Sequence, residues 1–465
     1  MEDSMTVNFR FNERSENLSS HSGLALAGAL LERTDLNDRL SSVELINCKE
    51  PVISHSDMVF SMIGLQCIGK PDYNAIEPFR ETPFFAQSLG INRCPSSSAL
   101  RQRLDVVEDA FDGIIKEESA RLIRNTAPDI KGVSTSEGVM IPLDIDVSPF
   151  DNSKTNKEGV SRTYKGHDGY APIFAYLGRD GYLVNLEMRE GKQHRQNGTV
   201  EFLSESIKYS KSITDEVILV RLDSGNDSLD NIRVCVDEGV EWIIKRNIRI
   251  ESKADWLQIA KEVGQKSNPR DGKTVWKGEI YRNVAGFEKL LRIVFEVTER
   301  SIDKKGQFHI VPEIEVDNYW TSLEAIPNEI IWLYHEHGES EQFHSELKSD
   351  MDLERLPSGK FKTNALVLLL GMLSYNILRL CGQESLRDNG NKEDNPSYRG
   401  KAGRGRIRTV MQDLIYVASH LTTRGKQWFL SFGKYCAWAK AWKSIYQRFK
   451  KPITEGSSRA IPVKV

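Results

Sequence analysis

The hydrophobic period of this chain changes at Gly138, and that change restricts the fold more than any other feature. Up to about residue 135, apolar residues recur every three or four positions. SGLALAGALLERTDL, DMVFSMIGLQCIG and SSALRQRLDVVEDAFDGIIKEESARLIRN all carry this spacing, which belongs to helices that bury one face. From Gly138 the stretch GVMIPLDIDVS alternates with a period of two. A strand there puts Leu143, Ile145 and Val147 on one face and Asp144 and Asp146 on the other.

Further strands and helices then alternate. APIFAYLG-RDG-YLVNLEM reads as a hairpin turning at Asp180-Gly181, followed by a helical stretch from Thr199 to Ser210. EVILVRLD reads as a buried strand ending on Asp223; SGND then leads into a helix over Leu229–Glu238, and VEWIIKR forms another strand. The helix ADWLQIAKEVG and the strands TVWKGEIY, LLRIVFEVTE and FHIVPEIEV make a β-rich insertion. Beyond it, IWLYHEHGESEQFHSELK repeats Tyr334, Glu341 and Lys348 every seven residues, with His337 three after Tyr334. A regular helix would gather this phenol, imidazole, carboxylate and ammonium on one stripe. An apolar helix, Asn364 to Leu380, and the Gly/Asn-rich GQESLRDNGNKEDNPSYRGKAGRGR come next.

The organisation is thus a helical N-terminal domain over 1–135 and an α/β core in two parts, 136–246 and 331–382, around the insertion of 247–330. A flexible linker over 383–406 and a basic DNA-binding or dimerisation region over 407–465 complete it. In the N-terminal part FFAQSLG-INRCP-SSSALRQRL gives a helix, a Gly90 stop and a Ser-capped second helix. This is a helix-turn-helix pattern that would bring Arg101 and Arg103 near DNA. In the C-terminal part KQWFLSF reads as a strand, and KYCAWAKAWKSIYQRFKK as a basic amphipathic helix whose Trp438 and Trp442 share one face, packing against the body or a second subunit.

The charge distribution points the same way. The net charge is −3, but residues from Leu386 onward hold 17 Lys+Arg against 5 Asp+Glu, a net +12 that leaves −15 for the first 385. A basic tail beside an acidic body suggests a polyanion partner. The polar start MEDSMTVNFRFNERSEN is not a signal peptide, and the apolar run Ala365–Leu373 is too short to cross a bilayer, so no membrane partner is expected. Six scattered cysteines without a CxxC fit a reducing, cytoplasmic setting.

A carboxylate on a central strand, a second at a neighbouring strand end and a Glu on a packed helix can hold two divalent cations about 4 Å apart. Asp146, Asp223 and Glu341 are the candidate ligands, with Asp144 in reserve. Hard oxygen donors select Mg²⁺, with Mn²⁺ as the substitute. A zinc site at His335, His337 and His344 is disfavoured, because HExxH is absent and His335 and His337 lie on nearly opposite sides of a helix.

This order of elements resembles an RNase H-like core, a mixed sheet with flanking helices. Tyr334-x2-His337-x3-Glu341-x6-Lys348 is similar to the Tyr-x2-Arg-x3-Glu-x6-Lys signature of bacterial insertion-sequence transposases. LDIDVS, VRLDSGNDSLDNIRVCVDEGVEWIIK, NYWTSL, FKTNALVLLLGMLSYNIL, GKPDYNAIEPFRETPFFAQSLG and CPSSSALRQRLD resemble further parts of that group, so the likeness runs from about residue 20 to 450. The resemblance implies an Asp-Asp-Glu triad at Asp146, Asp223 and Glu341, with Tyr334, His337 and Lys348 on DNA phosphates. It also implies action on terminal inverted repeats as a homodimer, in a bacterial cytoplasm at the nucleoid. The alternatives are a nuclease that cuts without joining and a non-catalytic DNA-binding derivative. His337 departs from the signature: neutral imidazole lacks the charge and fork of Arg. Either another basic residue substitutes, or His337 acts only when protonated, or it is a helix-surface histidine.

Overall fold

The computed structural model describes residues 17–45, 51–127, 129–303, 305–387 and 403–453, together with the backbone of a strand at Arg459–Pro462. At its centre runs β1, Gly138–Val147, the alternating stretch. It pairs antiparallel with β2, Ile173–Leu177, which turns into β3, Tyr182–Glu187, and parallel with β4, Ile218–Leu222. β5, Glu241–Lys245, lies parallel to β4, so the core strands run in the order β3-β2-β1-β4-β5. β2 and β4 are buried at every position because helices cover both faces, which is why they read as continuous apolar runs. The hairpin turns where expected: Gly181 adopts φ +71°, and a Cβ there would lie 2.4 Å from the Phe343 ring. Buried Asp180 accepts from the Lys131 backbone N–H at 2.7 Å and from Lys131 Nζ at 2.8 Å.

Two boundaries differ from the sequence reading. Asp129–Thr135 is already a strand, paired antiparallel with the start of β1, although it falls inside the stretch read as helical. Lys131 and Gly132 obscure its alternation. The long helical stretch after Ser96 is two helices, Ser97–Val107 and α1, Asp112–Thr126, broken where Glu108 takes φ +51°. The preceding punctuation holds: Pro83–Leu89 ends on Gly90 at φ +66°, and Ser96 accepts from the Ala99 N–H.

The helix α2, Thr199–Ile213, connects β3 to β4, and α3, Leu229–Asp237, connects β4 to β5. The insertion is an antiparallel meander of Gln265–Arg270, Lys273–Arg282, Leu291–Ile302 and Phe308–Thr321. It is continuous with the core, because the end of its last strand pairs with β5, Lys245 opposite Tyr319. Glu251 staples that junction, accepting from Arg246, Arg282 and the Trp256 indole at 2.7–2.8 Å.

Behind the sheet stands α4, Phe361–Arg387, ten residues longer than its apolar pattern suggested. By length and composition it could cross a membrane, yet 94% of its most apolar window is buried in the fold. Its buried polar side chains are paired: Asn376 accepts from the Leu183 N–H at 2.9 Å and donates to Ser119 Oγ, and Ser374 donates to Gln66. Because α4 runs to Arg387, only part of the expected linker remains, and its residues 388–402 lie outside the described residues.

The C-terminal region packs into the body. Gln427–Phe432 is a strand, as expected, and pairs with Ser419–Arg424, which in turn pairs with Leu18–Ser19 from the other end of the chain. The basic helix α5, Ala439–Phe449, buries Trp442, Ile445 and Phe449 in the same core as the N-terminal helices.

Candidate active site

Asp144 and Asp146 share one face of β1, two residues apart, and the fold treats them differently. β1 and β4 place Arg221 directly across from Asp144. Arg221 Nε and Nη2 donate to the two Asp144 oxygens at 2.6 and 2.7 Å, and Nη1 donates to the Leu333 carbonyl at 2.6 Å. His337 Nδ1 lies 3.0 Å from Asp144 Oδ1, without the alignment of a hydrogen bond. Burial works against the Asp144 charge, but Arg221 and His337 outweigh it and hold the carboxyl below the usual range. With both oxygens engaged by Arg221, Asp144 ties β1 to β4.

Asp146 opens toward solvent, its side chain 24% exposed. Oδ1 accepts from the Val147 N–H at 2.7 Å, and Oδ2 lies 3.3 Å from His344 Nε2. Tyr176 Oη lies 3.2 Å from His344 Nδ1. Burial lowers His344, and the neutral ring suits both neighbours: Nε2–H donates to Asp146 while Nδ1 accepts from the Tyr176 hydroxyl. Burial pushes the Asp146 carboxyl up; the contacts with His344, His337 and the Val147 N–H more than offset this, so it sits below its ordinary value.

Asp223 comes directly after β4 and caps a short 3₁₀ turn, Ser224–Asn226. Its Oδ1 accepts from the Gly225 N–H at 3.1 Å and Asn226 Nδ2 at 2.8 Å, and its Oδ2 from Arg195 Nη1 at 3.2 Å. Its carboxyl is raised, first by burial and then by the negative charge of Asp146. The two carboxylates therefore act on each other across a shared space at the C-terminal ends of adjacent parallel strands. Two hard oxygen donors so placed fit a divalent cation.

Glu341 does not join them. The segment expected to be one regular helix is α-helical over Pro327–His335, 3₁₀ over Glu336–Glu339, α-helical over Ser340–Ser345 and a π turn over Glu346–Asp350. Four residues wound at about 120° each, in place of 100°, rotate the next turn of helix by about 80°. Inward positions thus run His337, Ser340, His344 and Leu347, and Glu341 is exposed. The single-stripe expectation fails for Glu341 for this reason. Among the described residues, no group of three or more His, Cys, Asp or Glu is placed to hold a metal ion.

Of the other predicted residues, Tyr334 and Lys348 border the carboxylate pair. The Tyr334 ring lies 4.7 Å from Tyr319 and 5.7 Å from His337, and burial with the Asp223 charge keeps its phenol protonated. Lys348 Nζ donates to the Pro149 carbonyl at 2.6 Å and sits 5.3 Å over the Phe150 ring; burial pushes it down to about 8. His337 is buried against Asp144, so it is not a surface histidine. Arg101 is exposed, whereas Arg103 is buried, with Nη1 3.2 Å from the Ile53 carbonyl and 3.0 Å from His55 Nδ1. That contact joins Ser97–Val107 to the preceding segment and removes Arg103 from any DNA backbone. The sequence reading missed Arg221, Tyr176, Arg195 and Tyr164, and weighed His344 only as a zinc ligand. Only Arg221 left a signal, a lone cation inside the apolar strand VILVRLD.

A family model described as Transposase DDE domain group 1 matches residues 3–452. Among curated proteins no relative matches. One similar solved structure is the cryo-EM structure of a piggyBac transposase synaptic complex with hairpin DNA, at 9% identity and a TM-score of 0.37, covering 93% of this chain and 82% of that one.

Proposed function

Because the chain belongs to the Transposase DDE domain group 1 family, we propose that it is a DNA transposase. It binds the terminal inverted repeats of its element, cleaves the ends and joins the freed 3′-hydroxyls to target DNA. The observation that carries this is the placement of Asp146 and Asp223 at the ends of adjacent parallel strands, with Ile145 opposite Leu222, while neighbouring Asp144 is locked to Arg221. The strand order β3-β2-β1-β4-β5, antiparallel on one side of β1 and parallel on the other, supports an RNase H-like reading of the core.

The residues divide the work. Asp146 and Asp223 would hold two Mg²⁺ ions, with Mn²⁺ as substitute. Ions held there would supply an activated water and neutralise charge building on the transferring phosphate. The Tyr176–His344 chain fixes which Asp146 oxygen faces the site, because a neutral imidazole with one proton can donate in only one direction. Glu341 would be the third ligand if Glu336–Glu339 were wound as α-helix. Tyr334 and Lys348 border the pair where phosphate oxygens would lie. The working form is a homodimer on double-stranded DNA, in the cytoplasm at the nucleoid, with no membrane role.

The test is cleavage of end-bearing DNA by Asp223→Ala and Glu341→Gln; wild-type activity in Asp223→Ala removes the hypothesis. The exposed position of Glu341 favours one second reading, a non-catalytic DNA-binding derivative. DNA binding without cleavage in any divalent cation would establish it. A nuclease that never joins is separated by offering pre-cut ends and a target plasmid: joined product excludes it.

A further inference from the structure

Beside Asp223 opens a groove of about 680 Å³, whose lining includes Arg162, Tyr164, Lys192, Arg195 and Arg249 and no Asp or Glu. Its central feature is a stack: the Arg195 guanidinium lies 3.6 Å from the centre of the Tyr164 ring. Tyr164 donates to the Val147 carbonyl at 3.0 Å, next to Asp146, while Arg195 reaches Asp223. The stack thus links both carboxylate-bearing strand ends. Arg195 is held from behind, its backbone carbonyl accepting from Thr199 Oγ1 at 2.6 Å and Arg189 Nη1 at 3.1 Å. Glycine at 225 makes room for it, since a Cβ there would lie 2.6 Å from the Arg195 side chain.

The other cations are exposed. Arg162 is loosely paired to Asp168 at 3.5 Å and Lys192 to Glu190 at 3.3 Å, while Arg249 lies 3.7 Å from the Asp227 carboxylate and donates to the Asp227 backbone carbonyl at 2.8 Å. Pairs of this kind contribute little to stability and exchange readily for a phosphate. Through Arg249 and Asn247 the groove continues into a second one at the base of the insertion, whose lining includes Arg246 and Arg282.

We propose that this groove receives the sugar–phosphate backbone of a DNA strand beside the scissile phosphate. In it Arg195 supplies the forked cation that the signature places at the position of His337. This inference rests on the transposase reading. In the winding seen here His337 does not serve, being turned into the core against Asp144. Arg195 can, because its planar fork is presented at the mouth of the site and braced on an aromatic face.

The test is fluorescence anisotropy of a fluorescein-labelled mixed-sequence duplex with the full-length protein in EDTA, across a KCl series. Wild type, Arg195→Ala, Arg195→Lys and the triple variant Arg162→Ala/Lys192→Ala/Arg249→Ala are compared, with a thermal melt of each to establish folding. Arg195→Ala should flatten the log K against log salt slope by about one and the triple variant by about three. Arg195→Lys should keep the slope. Wild-type slopes in both alanine variants overturn the groove, even where Asp223→Ala has lost cleavage. Absence of salt-dependent binding by the wild type overturns the transposase reading beneath it.

Discussion

The two halves of the candidate site are built to different tolerances. In the sheet half, Asp146 and Asp223 sit at the ends of adjacent parallel strands, and each accepts from a backbone N–H and from a side chain that orients it. In the helix half, Glu341 sits on a segment whose winding changes three times between Pro327 and Asp350. Ladder hydrogen bonds fix a strand residue's direction to within a pleat, whereas one overwound turn swings a helix residue by most of a right angle. The sheet half is thus fixed by the fold, whereas under the proposed function the helix half would complete the site only with a change of winding.

The largest expected effects set the halves on equal terms. Asp146→Ala and Asp223→Ala should each reduce metal-dependent cleavage to background, and so should Glu341→Gln, although its side chain is exposed and its loss should leave the melting temperature unchanged. Cleavage at wild-type rate by Glu341→Gln would confine the chemistry to the sheet half.

A large stability effect should appear two residues away. Arg221→Met leaves buried Asp144 with only His337 beside its charge, and should cost about 3–5 kcal/mol in a denaturant titration. Asp144→Leu combined with Arg221→Met should recover most of that loss, since a buried pair replaced by apolar groups of similar volume is close to neutral. Asp146→Ala should change stability far less. Equal destabilisation by both aspartates would erase the distinction between a strand-locking carboxylate and a ligand.

Lys348 belongs to the helix half and gives it a pH signature. Burial pushes its ammonium down to about 8, so it is charged at pH 7 and discharged by pH 9. Losing that charge removes one phosphate contact: the salt slope of DNA binding should flatten by about one as pH rises through 8, and Lys348→Met should show the flat slope at both pH values. Stability moves the opposite way. The unfolded chain keeps this proton up to about 10.4, so between 8 and that value it binds more protons than the folded protein, and folding gains as pH rises. A slope unaffected by pH in the wild type would remove Lys348 from the DNA.

The same contrast explains what could be read from residue order. β1, the hairpin at Gly181 and the strand ending on Asp223 were legible because a period of two and a turn glycine each state one geometry. The choice between Asp144 and Asp146 was not, since it depends on Arg221 arriving from another strand. The seven-residue repeat from Tyr334 to Lys348 assumed even winding, and Gly338 in the middle of EHGE left that assumption weak. The tail is the other case. Its net +12 pointed to a polyanion, yet Arg406 and Arg408 meet buried Asp350, and Arg448 meets buried Glu384, so acids of the body neutralise part of it. The groove beside Asp223 has no such compositional mark, because its cations come from three separate segments, around Arg162, Lys192–Arg195 and Arg249.

The smallest effect tests the winding itself. Gly338 has nothing within 4 Å of where a Cβ would stand, so Gly338→Ala adds a methyl to open space. Alanine favours helix over glycine by about 1 kcal/mol, and the gain should be larger for continuous α winding than for the strained 3₁₀ turn. In the proposed reaction this turns Glu341 toward Asp146 and Asp223, so half-maximal cleavage should need less Mg²⁺, by at most roughly fivefold, the equivalent of that free energy. A higher melting temperature with weaker cleavage would mean that the working state keeps the uneven winding, and the third ligand would then have to be sought among residues other than Glu341.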